Sequence, residues 1–158
     1  MRYFLWLLPE PKAAIYWNGV IHRLAKIYNQ IPHLAHVTLA SWDSAPNQGL
    51  LDEIDMRALT LQIGTPQVGD NPWQRLYVSV GPREKLMQLD WIHEERLKTP
   101  HLSLLYGNHS QGRCIDLQRN LFLPSGPLLF SQLALIQGST DVASWIELKR
   151  WELKGESA

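Results

Sequence analysis

Two stretches of this 158-residue chain share one pattern: Leu34-Ala35-His36-Val37-Thr38-Leu39-Ala40 and Thr99-Pro100-His101-Leu102-Ser103-Leu104-Leu105. Each sets a histidine, an apolar residue, a hydroxyl residue and a second apolar residue in a row. Side chains alternate faces along a strand, so His36 and Thr38 project together while Val37 and Leu39 anchor the other face. His101 and Ser103 stand in the same relation to Leu102 and Leu104. With apolar residues at 45%, two such matches among 6 histidines arise by chance on the order of once in a hundred.

If both strands face one cleft, it holds two imidazoles and two hydroxyls. That set suits phosphate ester chemistry without a metal. One histidine takes a proton from water while the other gives one to the leaving oxygen. The hydroxyls donate to the nonbridging oxygens, where charge builds in the transition state.

Outward from the two motifs, the chain alternates strands and helices. Tyr3–Leu8 is a short apolar run ended by Pro9, a buried strand. Pro11 opens a helix on which Ala14, Trp17, Ile21, Leu24 and Tyr28 form one apolar face, reaching to about Asn29. Leu34–Ser41 is a strand, Leu50–Met56 a short helix, and Leu59–Ile63 and Leu76–Val80 are alternating strands around a loop over Gly64–Trp73. Gly81-Pro82 introduces a helix over Arg83–Leu97, and Thr99-Pro100 stops it before the strand His101–Tyr106. A helix over Gln111–Leu121, a proline turn at Leu123–Pro127 and strands at Phe130–Gln137 and Ser144–Leu153 complete the chain. Seven strands with interspersed helices predict an α+β fold with mostly antiparallel sheet, in a single domain over residues 1–158.

Composition narrows the partner. Lys plus Arg total 15 and Asp plus Glu total 15, so the chain lacks the basic excess of a general nucleic-acid binder, and a small ligand is expected. Cys114 stands alone, which excludes an intrachain disulfide, a cysteine zinc site and a CxxC redox pair, and fits a reducing compartment. The apolar N-terminal run is too short for a signal peptide or a membrane span. The expectation is a soluble cytoplasmic monomer with no membrane partner.

Most of the other histidines and tryptophans have plainer readings. No HExxH spacing occurs, so no metal centre is expected. His33 and His109 flank the motifs without a paired hydroxyl and read as loop residues, while His22 and His93 read as helix-surface residues. Trp17 belongs to the helix stripe, and Trp145 and Trp151 read as packing residues on one strand face. Trp42 and Trp6 are candidates to border the cleft, whereas Arg113 and Arg119 fit a solvated helix face.

The pair His36-Val37-Thr38-Leu39 and His101-Leu102-Ser103-Leu104 resembles the two signature motifs of the 2H phosphoesterase superfamily. The longer string His101–Gly107 is similar to its cyclic phosphodiesterase branch, as is the opening Tyr3–Pro9 with Trp6. The resemblance implies a two-lobed, pseudo-twofold α+β fold with antiparallel sheets lining a central groove. It implies opening of a small cyclic phosphate without cofactor or metal: a nucleoside 2′,3′-cyclic phosphate or ADP-ribose 1″,2″-cyclic phosphate. His36 and His101 would be the acid/base pair, Thr38 and Ser103 the phosphate clamps, and Tyr106 an aromatic near the substrate. Tyr106 shares the parity of Leu102 and Leu104, so it reaches the groove only if the strand ends or bends before Gly107. The separation of the motifs is short for the branch, and Gly112 stands where a helix would begin. The alternatives are a non-catalytic module that binds nucleotides or RNA ends, and an RNA-processing, 2′-5′ ligase-like member of the same superfamily.

Overall fold

The computed structural model describes residues 1–88 and 99–155. Its first strand, β1 (Arg2–Pro9), alternates as the sequence requires. Leu5 and Leu7 point into the main core, while Trp6 and Leu8 point to the other face, with Phe4 packed beside them. Glu10 caps helix α1 (Pro11–Ile27) by accepting a hydrogen bond from the Ala13 amide at 3.2 Å. Pro11 fits the first turn because its missing N–H would find no partner there. The helix buries Trp17, Val20, Ile21, Leu24 and Ala25, each large side chain contributing roughly 1.5–3 kcal/mol by leaving water.

The strands β2 (Val37–Trp42), β3 (Leu59–Val68), β4 (Leu76–Gly81), β5 (His101–Leu105), β6 (Gly126–Gly138) and β7 (Ile146–Glu152) join β1 in a 7-stranded sheet. Every pairing is antiparallel, and the order runs β2-β1-β6-β3-β4-β5 with β7 also on β6. The long strand β6 is the shared spine. Its first part, Gly126–Phe130, pairs with β3, and its second part, Gln132–Gln137, pairs with β7. The two motif strands, β2 and β5, end the path on opposite sides, and the sheet curls until they touch. This is the expected α+β, antiparallel, two-sided arrangement around a groove.

Several boundaries differ from the sequence reading, each for a physical reason. The expected loop Gly64–Trp73 is strand as far as Val68, because a register shift between Ile63 and Pro66 lets β3 keep pairing with β4. Pro66 is tolerated there because β6 pairs only with Leu59–Ile63, leaving one edge open. Strand β6 begins at Gly126, inside the expected proline turn. The short helix α2 is Gln48–Asp52 rather than Leu50–Met56, started by the Asn47 side chain. Helix α3 (Gln111–Asn120) carries Gly112 in its first turn and is capped by Ser110. Of the expected helix Arg83–Leu97, Arg83–Leu86 is a 3-10 turn, and residues 89–98, with His93, lie outside the described residues. Among the described residues no helix is long and apolar enough to cross a membrane.

Candidate active site

The groove between β2 and β5 holds a cavity of about 360 Å³ whose lining includes His36, Thr38, His101, Ser103, Trp6 and Tyr106. The two motifs therefore meet, as their shared pattern predicts.

His36 sits one residue ahead of β2, at the end of a loop pinned by α1: the Asn18 side chain accepts from the Ala35 amide at 2.7 Å. Its Nδ1–H donates to the Leu34 carbonyl at 2.6 Å, which fixes the tautomer and leaves Nε2 as the acceptor. Trp6 stacks on the ring with centroids 3.7 Å apart and planes within 9°. Burial first, then repulsion from His33 and His101, holds this imidazole well below its usual pKa of 6.5. His36 is accordingly neutral near pH 7.

His101 opens β5 and makes the corresponding bond, Nδ1–H to the Thr99 carbonyl at 2.9 Å. Its surroundings differ. It is only partly buried, and its ring neighbour is Tyr77, edge-on at 5.5 Å. The partner hydroxyls differ as well. Thr38 is half-buried opposite Trp6, whereas Ser103 is buried and its hydroxyl donates to the Trp73 carbonyl at 2.7 Å.

Tyr106 reaches the cavity because β5 ends at Leu105 and the backbone turns at Gly107, where φ is +111°. A Cβ at Gly107 would also lie 2.8 Å from the Gln30 amide nitrogen, so this turn demands glycine. The Tyr106 hydroxyl lies 3.4 Å from His36 Nε2, toward which it donates, and its burial pushes its own pKa up.

Trp42 does not line the cavity. A register shift on the β1–β2 ladder pairs Trp6 with Thr38 but Leu5 with Ala40, so β2 carries one extra residue there. After that bulge Ser41 takes the groove-side position opposite Phe4, and Trp42 packs against the main core. Trp145 corrects a second expectation. It precedes β7 rather than lying on it, and it lines the cavity in contact with Trp6, Trp73 and Tyr106. Trp151, by contrast, packs on the core as expected.

The sequence reading missed Arg2, Phe4, Trp73 and Trp145 in the cavity wall. Phe4 and Arg2 were findable by strand alternation from Trp6. Trp73 and Trp145 sit in two hairpin tips of one design. Asn71 caps a 3-10 turn at the Trp73 amide in one, and Asp141 caps the turn that leads to Trp145 in the other. Arg113 lies over the Tyr28 ring instead of in the groove. Among the described residues no three His, Cys, Asp or Glu side chains gather as a metal-ligand set.

No protein-family model matches the chain, and no curated protein matches it in sequence. Solved structures do. Escherichia coli LigT complexed with ATP aligns at 20% identity with a TM-score of 0.59, covering 97% of this chain and 98% of its own. This chain has the LigT-like 2H phosphoesterase fold. A structure described as a phosphoesterase aligns with LigT-like coverage, 97% of this chain and 98% of its own, at 18% identity and a TM-score of 0.56. TT0787 of Thermus thermophilus extends the LigT-like group, at 13% identity and a TM-score of 0.54 over 98% of this chain and 99% of its own.

Proposed function

We propose that the groove hydrolyses a small cyclic phosphate by paired-histidine acid–base catalysis without a metal. The observation that carries this reading is the matched anchoring of two imidazoles. Each spends Nδ1–H on a carbonyl two residues earlier, and both line one cavity with Thr38 and Ser103.

The asymmetry of the surroundings divides the roles. Neutral His36 takes a proton from water at Nε2 as the water oxygen bonds to phosphorus. His101, protonated, gives its Nε2 proton to the ring oxygen whose bond to phosphorus breaks, the 2′ or 3′ oxygen of a cyclic nucleotide. Hydroxyls of Thr38 and Ser103 donate to the nonbridging oxygens, for which the Ser103 proton turns away from the Trp73 carbonyl. The product is a phosphate monoester, and solvent resets the two histidines.

The cavity favours a small ligand. Apart from the imidazoles, Arg2 is the charged side chain among its described lining residues, and Arg2 already lies 3.3 Å from Asp43. The LigT structures include complexes with ATP, 3′-AMP and NADP+, which supports a nucleotide as the ligand class. The test measures turnover of nucleoside 2′,3′-cyclic phosphates and ADP-ribose 1″,2″-cyclic phosphate by wild type, His36→Ala and His101→Ala, with and without chelator. Turnover is expected in the wild type alone, unchanged by chelator; either variant at wild-type rate sinks the mechanism. The likeness to LigT favours a second reading, action on RNA ends, and oligonucleotides with 2′,3′-cyclic termini in the same assay test it. Tight binding with no product over long incubation would instead mark a binding module.

A further inference from the structure

We propose that His33, which contributes nothing to the cavity wall, is the positioning residue that locks the two motifs into one working geometry; this rests on the phosphodiesterase reading above. It is buried, 7% exposed, in the loop three residues before His36. Its Nε2–H donates at 2.9 Å to the backbone carbonyl of Ser103, in the opposite half of the sheet. Its ring stacks on Tyr106 with centroids 4.0 Å apart and planes within 25°. The same ring meets His36 edge-on at 5.8 Å. One side chain thus touches the base of the first motif, the backbone of the clamp serine in the second, and the tyrosine whose hydroxyl addresses His36 Nε2.

A plain packing residue would not need this chemistry. Leucine or phenylalanine would fill the space against Tyr106 but would leave the Ser103 carbonyl without the His33 N–H. Imidazole supplies a flat stacking face and a donor in one group. Burial lowers its pKa to about 4, so it stays neutral and keeps a single N–H at working pH. Near that pH a second effect appears. Two buried imidazoles this close compete for one proton, and charge on His33 opposes charge on His36. The other titratable or charged groups facing the pair are His101 and Arg2 across the cavity, Tyr106 after β5, and His22 on α1.

The test compares wild type, His33→Ala and His33→Gln. Glutamine can place an amide N–H where Nε2 stood, without a second ionisable group. Relative to wild type, His33→Ala is expected to lose kcat by about ten- to a hundredfold with KM little changed, as a clamp displaced by a fraction of an ångström would. His33→Gln is expected to regain most of that kcat. Equal kcat per folded molecule in His33→Ala, or no recovery in His33→Gln, overturns the proposal. An NMR titration of the imidazole nitrogens gives a readout independent of turnover. His36 should protonate at higher pH in His33→Gln than in wild type, and an unmoved titration also overturns the positioning role. Where wild type hydrolyses nothing, the functional reading fails alone and the titration still decides this one.

Discussion

In the first motif the histidine is walled in: Trp6 covers one face of His36, His33 abuts its edge, and Tyr106 addresses its free nitrogen. In the second motif the histidine is partly open and the hydroxyl is the enclosed partner, with Ser103 tied to Trp73 and Thr38 half-exposed. The backbone anchor is the same in both, Nδ1–H to the carbonyl two residues back. Near-identical tetrapeptides thus acquire opposite electrostatics from what packs around them. Desolvation on one side favours a neutral base, and solvent on the other admits a protonated acid.

Deleting either imidazole should have the largest effect, roughly 10²–10⁴-fold in turnover of a 2′,3′-cyclic nucleotide by steady-state assay. A phosphodiester with a nitrophenolate leaving group then separates the two roles. Since that leaving group needs no proton, His101→Ala should recover activity on it and His36→Ala should not; equal recovery would erase the difference between the motifs.

The clamps should differ in what else they do. Thr38→Ala and Ser103→Ala should each lower kcat by about tenfold to several hundredfold. Only Ser103→Ala should also cost stability, about 1 kcal/mol in a urea melt, because the Trp73 carbonyl loses its donor. A stable Ser103→Ala would show that the Trp73 bond is incidental.

Acid should weaken the walled-in side first. His33 has a folded-state pKa of about 4 against an ordinary value of 6.5, so the unfolded chain binds its proton more readily. Its contribution to stability is complete above pH 6.5 and is lost as pH falls toward 4, on the order of 3 kcal/mol. Buried His36 adds loss of the same sign. Chemical denaturation at several pH values should show the decline in wild type, and His33→Gln should remove part of it. A pH-independent difference between the two would contradict the burial argument.

The smallest expected effect is that of Trp42→Phe, a core change behind the bulge, which should leave kcat/KM within about twofold while costing about 1 kcal/mol of stability. A tenfold fall in kcat/KM would return Trp42 to the groove.

Much of the site was legible because it obeys strand alternation. The two His–hydroxyl pairs, Trp6, and the core role of Val37, Leu39, Leu102 and Leu104 all follow from period-two geometry, as does the apolar stripe of α1 from the helical period. Trp42 was misread because Leu39 and Ala40 are both apolar, and nothing in their identity announces an extra residue in the ladder. Trp145 was misread because its face depends on a capped turn instead of on a strand. The paired Asx-capped tips that present Trp73 and Trp145 did leave a trace, since each is a Gly-led loop with an Asn or Asp ahead of a tryptophan. His33 left none: its partner carbonyl at Ser103 belongs to a strand far along the chain.

By itself, then, the sequence determined the seven strands, the doubled motif and the residue types that do the chemistry, because periodicity and spacing are local properties of a chain. Only the tertiary structure decided which histidine is stripped of water, which hydroxyl is held, and which aromatics close the cavity. Those depend on what approaches from elsewhere in the molecule, through a bulge, a left-handed glycine and a hydrogen bond between two halves of one sheet.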